Sequence, residues 1–248
     1  MTGLFVIRAK IAGFVREYET WFSIVAKFLL MYVVFGYVNS ALGYYEQLNS
    51  QIVNIFLSLI CSIIPLSFAV FIVAILIALH MMKLSLMIAG LTVMTMIVLY
   101  LLFLKFAPES SLILLLVPVL MHYNLHFGIP VIAGMFFTPF AIIPAVAGVF
   151  MVVFLRCVVD VAPMIGEGLE LDTIVSALSQ IFEQLAGDKS IILFAVVTAA
   201  TIAVVFLVNR FSFDFVWYVA ILAGGITEVA VTFFGGAVLD ANVDIMMV

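Results

Sequence analysis

Residues 191–208 read Ile-Ile-Leu-Phe-Ala-Val-Val-Thr-Ala-Ala-Thr-Ile-Ala-Val-Val-Phe-Leu-Val, without a charge or an amide, and are closed by Asn209-Arg210. As an α-helix this run rises about 27 Å, close to the ~30 Å hydrocarbon core of a bilayer. The chain around it has the same character: 67% of 248 residues are hydrophobic, 9% are charged, and the mean hydropathy is +1.41. A soluble domain carries about 25% charged residues, so this chain could not cover a globular surface. It is read as an integral membrane protein. The apolar runs are long and continuous, whereas a barrel strand alternates over about ten residues. The predicted fold is therefore an all-α polytopic membrane bundle of about seven spans, within a range of six to eight. It forms one transmembrane domain over 1–248, with no room for a separate soluble domain.

Working outward, the run from Leu4 to Tyr18 mixes Leu4, Phe5, Ile7, Ile11, Phe14 and Val15 with Arg8, Lys10, Arg16 and Glu17. That is the pattern of an interfacial amphipathic helix, residues 4–18, retained on the cytoplasmic side. A cleaved signal peptide would need an uninterrupted apolar core. Span one, about Trp21 to Val38, ends in Tyr37, Tyr44 and Tyr45, rings suited to an interface. Span two, about Ile52 to Leu79, is long and carries Pro65, so it kinks or divides there. His80 and Lys83 mark a return turn, and span three runs from Leu84 to Leu104.

Spans four and five are broken. Ser111 to Met121 is short and contains Pro118; a polar turn with His122 and His126 follows; the run Ile129 to Leu155 then carries Pro130, Gly134, Pro139, Pro144 and Gly148. Interrupted segments are tolerated at membrane depth only where protein or a water-filled cavity receives the freed backbone groups. The region therefore points to an internal site, and a re-entrant hairpin over Ser111–Thr138 fits equally well. Residues 160–190 form an acidic extramembrane loop in which Asp172 can cap a short amphipathic helix stopped by Gly187. Span seven, about Phe215 to Leu239, follows span six. The final Ile245-Met246-Met247-Val248 reads either as a frayed terminus or as the entrance to an eighth span.

With the N-terminus cytoplasmic, Arg8, Lys10, Arg16, Lys27, Lys83 and Arg210 fall inside and Lys105, Arg156 and Lys189 outside, which follows the positive-inside bias.

Glu228 is the sharpest single signal. It lies midway along span seven, where a carboxyl costs at least ~2.5 kcal/mol to insert. Ala220, Gly224, Glu228, Thr232 and Gly236 recur every four residues, so one narrow face of small and polar groups carries the acid. Glu228, Gly224 and Thr232 form the candidate polar site, either a proton, cation or substrate contact or a protonated carboxyl bonded to a neighbouring helix. Lys27 is a conceivable partner. Ala195, Ala199 and Ala203 on span six form a second small-residue stripe suited to helix packing. His122 and His126 stand four apart, as a metal-binding pair on one helix would, but no Cys, Asp or Glu completes a site, and an interfacial turn explains them. Leu79-His80 before Ile88-Ala89-Gly90 faintly echoes Met121-His122 before Ile132-Ala133-Gly134.

Other classes are excluded or unsupported. Nine basic residues spread singly against fourteen acidic ones, net charge −5, make no stripe for phosphates, so nucleic acid is not an expected partner. Cys61 and Cys157 form neither a CxxC pair nor a disulfide framework. No Walker A, HExxH, nucleophile elbow or Rossmann fingerprint occurs. No enzyme activity, cofactor or metal is expected, an intramembrane enzyme ranking third. Active transport would need a partner subunit or an ion gradient.

Pro108–Phe150 and the run Val208-Asn-Arg-Phe-Ser-Phe-Asp-Phe-Val-Trp-Tyr218 resemble uncharacterised bacterial multi-pass membrane proteins. The resemblance covers about a third of the chain and implies a bacterial cytoplasmic membrane without implying an activity. Two functions are expected from the sequence: a transporter or permease-like membrane subunit with no ATPase of its own, or a non-catalytic scaffold in a membrane complex. The partners are the lipid bilayer and other membrane subunits or a cytoplasmic protein.

Overall fold

Pro65 divides what reads as one long span into two helices. Ile64 (φ −83°, ψ 161°) and Pro65 (φ −59°, ψ 143°) are both extended, as expected for a proline and the residue before it. Two successive extended residues reverse the chain where a single kink would only bend it. In this computed structural model, which describes residues 16–106, 108–165, 171–212 and 214–239, the helices are α1 (Glu19–Leu42), α2 (Gln51–Ile63), α3 (Leu66–Leu84), α4 (Leu86–Phe106), α5 (Ser111–His122), α6 (Gly128–Phe136), α7 (Ile142–Val161), α8 (Leu171–Gly187), α9 (Lys189–Val208) and α10 (Val216–Leu239). Short 3-10 turns at Pro108–Ser110, Pro139–Ala141 and Ala162–Ile165 link them. No strand occurs among the described residues. The predicted helix at 4–18 and the proposed eighth-span entrance lie almost wholly outside them.

Among the described residues, five helical segments are long and apolar enough to cross a membrane: α1, α3, Pro139–Val161, α9 and α10. The expected all-α class is thus met, while five segments qualify where about seven spans were expected.

Side-chain contacts give each helix a direction. His80 Nε2 lies 2.9 Å from Asn39 Oδ1, and Asn39 Nδ2 reaches Asn54 Oδ1 at 3.4 Å. The start of α2 and the end of α3 therefore meet the same residue of α1. A span from Ile52 to Leu79 would have put them on opposite faces. The pair α2–Pro65–α3 is instead a hairpin that enters and leaves on one face, with α2 rising only about 20 Å over its 13 residues. Lys83 Nζ then sits 4.8 Å above the ring of Tyr45, which corrects the expectation that Lys83 and Tyr45 lie on opposite faces.

The second correction concerns span five. His126, before α6, packs edge-on against Phe194 near the start of α9, and Asn209 beyond the end of α9 donates to Met135 O at the end of α6 (3.1 Å). So α6 runs alongside α9 in the same sense. After the turn at Pro139, α7 runs back and brings Arg156 to the cavity that Phe194 lines. Phe137 and Thr138, both extended ahead of Pro139, make this reversal as Ile64 does before Pro65. Pro130 and Pro144 occupy first turns, where no amide bond is lost; Pro118 alone of the four lies inside a helix.

Opposite sides of α5 and α7 feed two apolar cores. Leu115, Val119, Phe154 and Val158 join α1 and α3, whereas Ile113, Val117, Val149 and Val152 join α6 and α9. Apolar burial does not drive association inside lipid, so close backbone approach carries the packing. A Cβ at Gly148 would meet Val117 Cβ at 2.8 Å, and one at Gly134 would meet Val205 Cβ at 2.7 Å. On α8, Ala177 and Ile181 are buried, while Val175 and Phe182 stay exposed. Asp172 lies within this helix and not at its cap.

Candidate functional site

The buried residues of α10 are Ala220, Gly224, Glu228, Thr232 and Gly236, the face that the four-residue spacing predicts. This face lies against α9 and α6. A Cβ at Gly224 would come within 2.6 Å of Val205 and 3.6 Å of Thr201, and one at Gly235 would meet Leu193 at 2.5 Å. These contacts set an antiparallel register in which Glu228, one turn beyond Gly224, is level with Thr201 and the stretch just before it. Glu228 is 5% exposed and Thr201 fully buried.

Neither group has its hydrogen-bonding capacity met. Glu228 Oε1 and Thr201 Oγ1 are both buried without a partner. A hydroxyl inside a helix commonly bonds the carbonyl one turn back, as Thr227 does to Ala223 O at 2.7 Å. Thr201 does not. Buried unpaired polar atoms cost about 1–3 kcal/mol each, and this helix interface carries two of them. Lys27 is not brought there: α1 packs on α2, α3 and α5, and α10 on α9 and α6. The stripe Ala195, Ala199 and Ala203 proves only half-buried. α9 instead buries Leu193, Val197, Thr198, Thr201, Ile202 and Val205, packed against α10, α6 and α7.

The broken region meets a different space. A cavity of about 100 Å³ between α1, α3, α4, α5 and α7 is lined by Pro118, Gly148, Tyr37 and Tyr100 among mostly aliphatic side chains. Pro130, Pro139, Pro144, His122 and His126 do not line it, and neither does Glu228. The sequence thus pointed to two features that the fold keeps apart.

No protein family, curated protein or solved structure matches this chain.

His122 and His126 do not form a pair. α5 ends at His122, whose ring lies 5.0 Å from that of Tyr37, while His126 sits in the following turn against Phe127 at 4.0 Å and Phe194 at 5.5 Å. Among the described residues no group of three His, Cys, Asp or Glu is placed to hold a metal ion. His126 Nε2 is nevertheless buried without a partner. Burial, and secondarily the Arg156 guanidinium, holds this imidazole below the ordinary histidine range.

Near His126, an open cavity of about 580 Å³ lies between the ends of α7, α8 and α9, lined by Arg156, Asp160, Glu183, Asp188, Ser190 and Phe194 among others. It belongs to the same face as Tyr44, whose hydroxyl is raised by burial and by Asp160. This vestibule face was legible only as an acidic loop.

The Asn39 cluster was missed altogether. Asn39 is 3% exposed and His80 fully buried. Asn39 Nδ2 donates to Leu48 O at 3.0 Å, and the Tyr45 amide donates to His80 Nδ1 at 3.2 Å. With Nδ1 accepting, Nε2 carries the proton given to Asn39 Oδ1, so His80 is neutral and both its nitrogens are occupied. Asn39 and Asn54, polar residues flanking one loop inside otherwise apolar runs, were the available signal.

Proposed function

We propose that the chain is a transporter or permease-type membrane subunit in which Glu228 binds and releases a proton at mid-membrane. The observation that carries this reading is the pair of unpartnered buried atoms, Glu228 Oε1 on α10 and Thr201 Oγ1 on α9, on two helices packed against one another. An acid held at this depth solely for packing would be expected to find a partner, because an unmet group in hydrocarbon is costly and neighbouring helices usually supply one. In this reading α1, α4, α7, α9 and α10 cross the membrane, α2 and α3 re-enter from the vestibule face, and α5 and α6, of 12 and 9 residues, form a second hairpin that starts and ends on the N-terminal face. The membrane is the bacterial cytoplasmic membrane with the N-terminus inside. Arg16, Lys27, Lys105 and Arg210 belong to the N-terminal face and Lys83, Arg156 and Lys189 to the other, a lean in the direction of the positive-inside bias. Reconstituted into liposomes with a pH-sensitive dye inside, the protein should dissipate an imposed pH gradient. Gradient loss equal to that of protein-free liposomes would remove the reading.

A scaffold remains the second reading, favoured by the charged vestibule beside α8, which could seat a basic segment of a partner. Purification in mild detergent would then yield a stoichiometric companion.

A further inference from the structure

Of the unpartnered buried polar atoms, those of His126, Thr201 and Glu228 belong to the α6, α9 and α10 side of the molecule, whereas those of Ser85 and Thr92 lie at α4. His126 rests edge-on against Phe194, and Phe194 lines the vestibule. Phe194, Thr198 and Thr201 stand at i, i+4 and i+7 on α9, so they share one face. Thr198 and Thr201 are buried on it, and Gly224, one turn before Glu228 on α10, approaches Thr201. Seven residues of helix separate Phe194 from Thr201, about 10 Å. From the vestibule inward come His126, beside the cavity with its buried and unpartnered Nε2, then Thr198 and Thr201 along α9, with Glu228 on the helix packed against them. The other helix packed here, α6, carries no ionisable residue, and α9 carries only Lys189 at its start. Arg156 from α7 is the charge that acts on His126, and Asp160, Glu183 and Asp188 lie beyond it in the vestibule.

We infer that His126 is the proton relay between the vestibule and Glu228, making the face that bears α8 the side from which this acid exchanges protons. This rests on the reading of Glu228 as the proton-binding group. The imidazole takes a proton from vestibule water on one ring nitrogen and passes one inward from the other. Tautomer exchange restores it, the Thr hydroxyls and intervening water carry the proton on, and Glu228 ends protonated. No other bond changes. The three acids draw protons and other cations into the vestibule, and Arg156 keeps a neutral His126 from holding the proton it must pass on.

The test is hydrogen–deuterium exchange of the full-length protein in a lipid film, followed by infrared spectroscopy. The carboxylic C=O band of Glu228 is assigned by its loss in Glu228→Gln. In the wild type the band should shift promptly on exposure to deuterated buffer. In His126→Leu the shift should slow at least ~10-fold, the scale of a lost acid–base group. Ser190→Cys capped with a bulky thiol reagent, which fills the vestibule and leaves His126 in place, should slow it too. No assignable band would overturn the reading of Glu228 itself. A band that exchanges equally fast in His126→Leu and in the capped variant would overturn the relay alone.

Discussion

His80 Nε2 and Asn39 Oδ1 lie 2.9 Å apart although 41 residues separate them in the chain, and this bond places the end of α3 beside the end of α1. With the Tyr37–His122 and His126–Phe194 ring contacts and the Asn209–Met135 bond, it orders the faces. Tyr45, Lys83, the turn after α5 and the vestibule come to one side, and Glu19, Ser111 and Arg210 to the other.

That ordering predicts labelling. Single cysteines at Gln47 and Lys83 should react with a membrane-impermeant thiol reagent from the same side, and cysteines at Glu19 and Arg210 from the opposite one. Reaction of Gln47 and Lys83 from different sides would replace the hairpin with a full crossing.

The cluster should also matter energetically. Asn39→Ala removes the partner of His80 Nε2 and frees Leu48 O, a loss of about 1–3 kcal/mol per stranded group. Thermal unfolding in detergent should fall for Asn39→Ala, and much less for Ser40→Ala, whose hydroxyl bonds only Tyr37 O at an exposed position.

How much of this was legible depends on what each residue pattern encodes. The α10 face from Ala220 to Gly236 was readable because spacing alone fixes which side chains share a helix face. The helical membrane class was readable from composition. The course of Ile52–Leu79 was not, because hydropathy reports that a run is apolar and not which way it travels after Pro65. Ile129–Leu155 failed likewise: its prolines announced a break, but whether the chain bends or reverses depends on how many residues become extended. The Ala195–Ala203 stripe misled because α9 packs against α10, α6 and α7 at once, so its burial is not confined to one narrow stripe. The Asn39–His80 bond joins positions too distant for any local pattern.

Close helix approach gives a graded prediction. A Cβ at Gly134 would press on Val205 and the Ile202 carbonyl, and one at Gly224 on Val205, whereas Gly225 has nothing within 4 Å. Gly134→Val and Gly224→Val should each cost about 1–3 kcal/mol by overpacking. Gly225→Ala should change detergent stability little, within ~0.5 kcal/mol.

Stability should depend on pH through His126. Its imidazole titrates lower in the folded protein than the ordinary value of 6.5, so the unfolded chain binds the proton more readily. The stabilisation is complete above the unfolded value and is lost as pH falls through the folded one. Unfolding midpoints measured from pH 7.5 downward should therefore drop less steeply in His126→Phe than in the wild type. Identical slopes would show that this ring does not titrate on unfolding.

The most direct measurement is proton flux in proteoliposomes across matched wild-type, Glu228→Gln and Glu228→Asp preparations, each with the same folded yield. The account predicts pH-dependent flux in the wild type, its loss in Glu228→Gln and partial retention in Glu228→Asp, where the carboxyl is kept one methylene shorter. Equal flux in the wild type and Glu228→Gln would contradict it.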